Sequence, residues 1–170
     1  MRIEALLDSN VLIAMLVEAH EHHGPSLKLL VDGTEMQFAI AAHSYAETYS
    51  TLTRKGERSP FRFTPEEAWG ALESVRAVTG LVGLTAPQTF EAIRSYAQNG
   101  GIGARLYDRL IGEAAVAHEI PGIVTWNAGH MRSLFPDLRI TTPSEFGKGG
   151  GVAETQRATP KRLRGREIIE

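Results

Sequence analysis

Cysteine is absent from all 170 residues, which excludes disulfides, thiolate metal sites and thiol nucleophiles. Long apolar runs are missing too: none approaches the ~18 residues that a membrane span needs. The start, Met1-Arg2-Ile3-Glu4-Ala5, lacks the long apolar segment of a secretory signal. These absences predict a cytoplasmic protein with no membrane partner. Positive charge is scarce over most of the chain, since residues 1–146 hold 12 basic against 17 acidic side chains, a balance of -5. From Gly147 onward six basic residues face three acids, a balance of +3 that brings the whole chain to -2. An acidic body argues against clamping nucleic acid over its whole surface. It is compatible with a local site whose own acids supply part of that excess.

What is present is enough apolar chain for one domain, with 42% hydrophobic residues. Short apolar runs alternate with helical periodicity, the pattern of an α/β protein with a mostly parallel sheet. Strands are predicted at Ile3–Leu7, Gln37–Ala41, Leu81–Leu84, Ile123–Thr125 and Leu138–Ile140. Helical spacing covers the apolar turn Val11–Leu16, then Pro25–Val31, Ala42 to about Lys55, Pro87 to Gln98, Ala104 to Glu119 and a short segment after Asn127. The sharpest boundary is Thr64-Pro65-Glu66-Glu67, with a Thr cap, Pro at the first helical position and Glu closing a capping box before a helix to about Val78. After Phe146 the run Gly147-Lys148-Gly149-Gly150-Gly151 reads as a linker. The domain is therefore placed at 1–146, with 147–170 as a flexible basic tail.

Four polar residues fall beside predicted strand ends. Asp8 ends a wholly apolar strand at the carboxyl edge of the sheet, where open α/β sheets place ligands; it also suits the cap of the following helix. Glu47 lies half a helix beyond the second strand and suits a solvated face equally well. Asp108 falls in line with Ala104, Ile111 and Ala115 on one helical stripe, and an acid at such an edge is costly without a partner. Asn127, just past Val124-Thr125-Trp126, suits either a cap or an oxygen ligand. With parallel, adjacent strands these oxygens converge. Two carboxylates about 4 Å apart repel by about 4 kcal/mol at an effective dielectric near 20, so three need a cation or shifted pKa values. Hard oxygen ligands without cysteine favour Mg²⁺ or Mn²⁺ over zinc, and such a site suits phosphodiester hydrolysis.

The set Leu6-Leu7-Asp8-Ser9-Asn10-Val11-Leu12-Ile13, Tyr45-Ala46-Glu47, Tyr107-Asp108-Arg109-Leu110-Ile111 and Val124-Thr125-Trp126-Asn127, with His130, resembles the PIN-domain ribonucleases. Within them it is similar to the VapC-type toxins of toxin–antitoxin pairs, over about residues 1–146 including the closing Thr142-Pro143-Ser144-Glu145-Phe146. The resemblance implies a three-layer α/β/α fold, an Mg²⁺- or Mn²⁺-dependent endoribonuclease site, RNA as substrate, a cognate antitoxin and a homodimer. It assigns Asp8 and Asp108 as principal metal ligands, Glu47 as a ligand or water-orienting acid, Asn127 as the fourth polar position and Ser9 as a supporting hydroxyl. Arg109 and Gly112 depart from the small or apolar residues usual there, which would alter local packing or place a cation near the phosphate. With Asn at 127 the site carries three formal negatives, so one Mg²⁺ leaves -1 and two leave +1. One resting ion, joined by a second with the RNA phosphate, is the expectation.

RNA contact is expected from Arg54, Lys55, Arg58 and Arg62 after the Glu47 helix, and from Arg109, with Phe61 and Phe63 able to stack bases or pack. An ordinary solvated loop is the competing reading. The tail is either a phosphate-binding arm or a dispensable extension. His20, His22 and His23 lack the i, i+4 spacing of a compact zinc site, and Gly100–Gly103 lacks the Lys-Ser/Thr of a phosphate loop. His43, one turn before Glu47, suits core or surface, and Trp126 a site wall or a stacking surface. Two rival functions remain: an Asp-based phosphohydrolase, disfavoured by Asn10 in place of a second Asp and by the lack of lysine between Lys55 and Lys148, and a PIN-like binding module without catalysis.

Overall fold

A computed structural model describes residues 2–31, 37–56 and 61–146. Its five strands are β1 (Ala5–Leu7), β2 (Phe38–Ala41), β3 (Gly80–Val82), β4 (Gly122–Val124) and β5 (Arg139–Thr141), in spatial order β3-β2-β1-β4-β5. All four pairings are parallel, with Leu7 opposite Ile40 on one side and Val124 on the other. Eight helices connect them: α1 (Ser9–Leu16), α2 (His23–Val31), α3 (Ala42–Leu52), α4 (Pro65–Arg76), α5 (Ala86–Gln98), α6 (Arg105–Ala117), α7 (Ala128–Leu134) and α8 (Pro143–Phe146). The expected α/β class with a three-layer α/β/α arrangement is what the molecule has. The sheet is wholly parallel among the described residues.

Alternation along the strands assigns each side chain to a layer. Leu6, Ala39, Ala41 and Ile123 pack with Ile111, Ala115 and Met131 of α6 and α7. Their neighbours Ala5, Leu7, Phe38, Ile40 and Val124 turn the other way, onto Val11, Leu12, Met15 and Leu29 of α1 and α2. Both faces of the central strands are covered, so β1, β2 and β4 read as unbroken apolar runs, as buried parallel strands do. Near the sheet centre the order reverses: β1 is followed to one side by β2 and to the other by β4. The crevice beyond the carboxyl ends of β1 and β4 is the switch point where such sheets bind ligands.

Three Thr-led caps punctuate the chain. Thr64 and Glu67 exchange side-chain bonds with each other's backbone at the start of α4, and Thr85 and Gln88 do so at α5. Thr142 and Glu145 repeat the exchange at α8, which sets Phe146 5.1 Å from Phe38. The middle of α6 depends on the absence of a side chain. A Cβ on Gly112 would lie 1.9 Å from the Phe135 ring, so only glycine lets that ring lie against α6, with the Arg109 guanidinium over its face at 5.3 Å.

Several boundaries shift from expectation. β3 comes earlier, at Gly80–Val82 instead of Leu81–Leu84, because Gly80 can approach Ala39 closely: a Cβ there would stand 3.1 Å from that of Ala39. α2 begins two residues sooner, at His23, with Pro25 accommodated in its first turn. α3 ends at Leu52, before Lys55, where Thr53 closes its last turn through Tyr49. Arg58, the 147–170 tail and the proposed boundary at 147 lie outside the described residues.

Candidate functional site

Asp8 serves as both cap and acid. Its backbone is extended and its Oδ1 accepts from the Ser9 N–H at 2.7 Å, opening α1. Its Oδ2 accepts from Thr125 Oγ1 at 2.6 Å and Asn10 Nδ2 at 2.8 Å. Thr125, wholly buried just past β4, is itself tied: its hydroxyl accepts from Asn10 Nδ2 and from the Asn127 N–H, each at 3.0 Å. Asn10 completes the knot, its Oδ1 accepting from the Trp126 N–H at 3.0 Å. One hydrogen-bonded cluster thus staples the end of β1 to the end of β4 and fixes the Asp8 carboxylate. Even so, its pKa is raised, by burial above all and by the Asp108 charge, against the lowering effect of the Thr125 and Ser9 bonds.

Glu47 and Asp108 arrive on α3 and α6. Ser44, Thr48 and Leu52 bury one side of α3, leaving Glu47 half-buried beside it. Burial pushes the Glu47 carboxyl up, a hydrogen bond from Ser9 pulls it down, and Asp8 and Asp108 both push it up. His43, one turn earlier, hydrogen-bonds the Tyr107 backbone and is held below its ordinary pKa by burial; the two rings lie nearly parallel at 6.4 Å. That contact joins α3 to the turn of α6 carrying Asp108. Asp108 is raised by burial, while His130 and Arg105 lower it. The His130 Nε2 stands 3.4 Å from Asp108 Oδ2 and is buried without a hydrogen-bond partner.

The sequence-predicted acids share one electrostatic neighbourhood: the charge of Asp108 raises Asp8, the charges of Asp8 and Asp108 raise Glu47, and Ser9 bonds both Asp8 and Glu47. Among the described residues no group of three His, Asp or Glu side chains is already gathered around one point. Asn127 flanks the site at the start of α7, exposed, its side chain not capping that helix. Of the expected RNA contacts, Arg54, Lys55 and Arg62 are exposed and line a depression of about 520 Å³ with Phe63. Arg109 is engaged elsewhere, paired with Glu113 and laid over Phe135. The cation that acts on Asp108 is Arg105, which lines a second depression of about 420 Å³ with Tyr96 and His130. Residues with no role assigned from sequence are Asn10 and Thr125, which fix Asp8, and His130; each sits within a quoted motif, but short polar residues carry no periodicity signal.

The PIN domain family model matches residues 5–131. The chain belongs to the PIN domain family. No curated protein matches it, and the solved structures it resembles share its fold at low identity. VapC20 of Mycobacterium tuberculosis, a toxin that cleaves the sarcin-ricin loop, superposes with a TM-score of 0.59 at 14% identity, over 76% of this chain and 94% of that one. VapBC2 of Rickettsia felis, bound to a promoter DNA fragment, gives 0.54 at 20% identity, over 80% and 96%. PAE2754 of Pyrobaculum aerophilum gives 0.54 at 20% identity, over 87% and 97%. No helix of the described residues is long and apolar enough to cross a membrane. PIN domains are nucleases as a family.

Proposed function

We propose that this PIN domain is an Mg²⁺- or Mn²⁺-dependent endoribonuclease and the toxin of a toxin–antitoxin pair. One observation carries the reading: the carboxylates that follow β1 and sit on α3 and α6 are all raised in pKa by burial, Asp8 also by the charge of Asp108, and Glu47 also by the charges of Asp8 and Asp108. Acids gathered in partial burial with pKa values above their ordinary range are a site prepared for positive charge. All-oxygen donors suit a hard divalent ion, and Mg²⁺ usually keeps several waters and binds through one or two carboxylates. Asp8 and Asp108 would hold the ion, with Glu47 ligating it or orienting a water. When bound, the ion would lower the pKa of water and neutralise charge on the phosphate.

The chain's own groups divide the remaining work. Asp8 is immobilised by Thr125, Asn10 and the Ser9 N–H, so its oxygens keep one position. Glu47, half-buried and raised in pKa, is suited to take a proton from an attacking water. Ser9 bonds Glu47 and spans the gap to Asp8. His130 beside Asp108 and Arg105 beyond it favour the charged form of that acid, and Arg105, Arg54, Lys55 and Arg62 supply cations for phosphates on either flank. Support for the toxin role and for an antitoxin partner comes from the VapC and VapBC structures that share the fold, and a homodimer in a cytoplasmic setting is part of the same proposal. Incubation with structured RNA tests the reading. Cleavage is expected in Mg²⁺ or Mn²⁺, blocked by EDTA, and lost in Asp8→Asn and Asp108→Asn with the fold intact. RNA left whole in both ions would return the chain to a binding module.

A further inference from the structure

Beside the acidic site lies a row of rings that the proposed chemistry does not use. The His22 ring stacks on Trp126 at 3.9 Å with an interplanar angle of 18°. His20 follows at 5.6 Å from His22, and Phe61 at 6.5 Å from His20 with a 30° angle. The row starts one residue from Asn127 and ends one residue from Arg62, at the depression lined by Arg54 and Lys55. It is held from several directions: the Trp126 N–H donates to Asn10, its indole N–H donates to Ser26 at 3.0 Å, and the His22 N–H donates to His20 Nδ1 at 3.1 Å. The His22 side chain is still 38% exposed. Zinc does not explain the histidines, since no three potential ligands gather among the described residues.

We propose that Trp126, His22, His20 and Phe61 form a stacking track for unpaired RNA bases, running from the acidic site to the Arg54, Lys55 and Arg62 depression; this rests on the RNA reading above. Two features favour bases over mere packing. Flat π-faces in sequence beside cations are what single-stranded nucleic acid requires: rings take the bases and basic side chains take the phosphates. The track is also joined to the site through Asn10, which bonds both the Trp126 backbone and the Asp8 carboxylate, so a base seated there fixes the strand relative to the acids.

The test measures binding of the full chain in EDTA, where no cleavage occurs, to a short oligouridylate and to an abasic strand of equal length. Both strands carry the same phosphates, so the cationic contribution cancels and the difference reports bases. The oligouridylate is expected to bind about five- to tenfold more tightly, the effect of one weakly stacked base. His22→Ala and His20→Ala should erase that difference, and His22→Phe, which keeps a flat ring, should preserve it. Equal binding of the two strands by the unmodified chain, or a difference that survives both alanine variants, overturns the track and leaves the rings to packing or protein contact. Cleavage in Mg²⁺ is scored separately. Cutting without base preference keeps the nuclease and removes the track; base preference without cutting does the reverse.

Discussion

The two sides of the acidic site are built differently. At the β1 and β4 ends, Asp8 is buried and receives bonds from Ser9, Asn10 and Thr125, and the groups that donate to it are themselves bonded. Across the crevice, Glu47 and Asp108 are half-buried on separate helices, the first bonded by Ser9 and the second facing a histidine 3.4 Å away. A carboxylate fixed by short bonds gives a reference point; half-buried carboxylates with fewer bonds are freer to adjust to what enters.

The largest effect expected from that contrast concerns side-chain length. Asp8→Glu should cut RNA cleavage about a hundredfold or more, since a longer acid cannot keep the Thr125 and Asn10 bonds, whereas Asp108→Glu should cost about tenfold, in line with the tenfold to hundredfold penalties for disturbed metal surroundings. Steady-state rates of the two folded variants decide it, and equal losses would break the comparison. Next comes Gly112→Ala, whose Cβ meets the Phe135 ring at 1.9 Å. It should destabilise by about 1–3 kcal/mol, the usual cost of overpacking, with Phe135→Leu restoring part of it in denaturant titrations.

Thr125→Val keeps the shape of its buried site but removes the donor to Asp8, so a loss of about 1–3 kcal/mol is expected in the same titrations. His130→Gln, on the adjustable side, should change stability by less than about 1 kcal/mol while weakening ion binding about tenfold. The smallest effect is in pH. Asp8, Glu47 and Asp108 all have folded pKa values above their ordinary range, so the folded state holds more protons than the unfolded one. Their contribution favours folding below the unfolded carboxylate pKa and is lost as pH rises through the folded values. Without metal, the melting temperature of Asp8→Asn should therefore fall less than that of the unmodified chain as pH rises from about 4 toward neutrality, and added Mg²⁺ should restore the unmodified chain.

Much of this was legible in the sequence because it rests on local rules. Thr64-Pro65-Glu66-Glu67 announces α4 through its capping chemistry, and the apolar runs around Leu6, Ile40 and Ile123 announce strands buried on both faces. Asp8, Glu47 and Asp108 are visible through their positions at strand ends and on a helical stripe. The bonds that decide how each acid is held were not, since Thr125 lies 117 residues from Asp8 and no periodicity links them. Arg109 shows the limit in the other direction: its charge suggested phosphate, and its pairing with Glu113 and stacking on Phe135 follow from Gly112, whose missing side chain opens the space. The histidines at 20 and 22 likewise gain meaning only once Trp126 is folded against them.

Calorimetric titration of Mn²⁺ into the RNA-free chain addresses the central claim most directly. One ion per chain is predicted, lost in both Asp8→Asn and Asp108→Asn while the fold persists, because the charge of both acids is needed to hold it. Binding that survives both substitutions, or no binding at all by the unmodified chain, would contradict a metal site built from these acids.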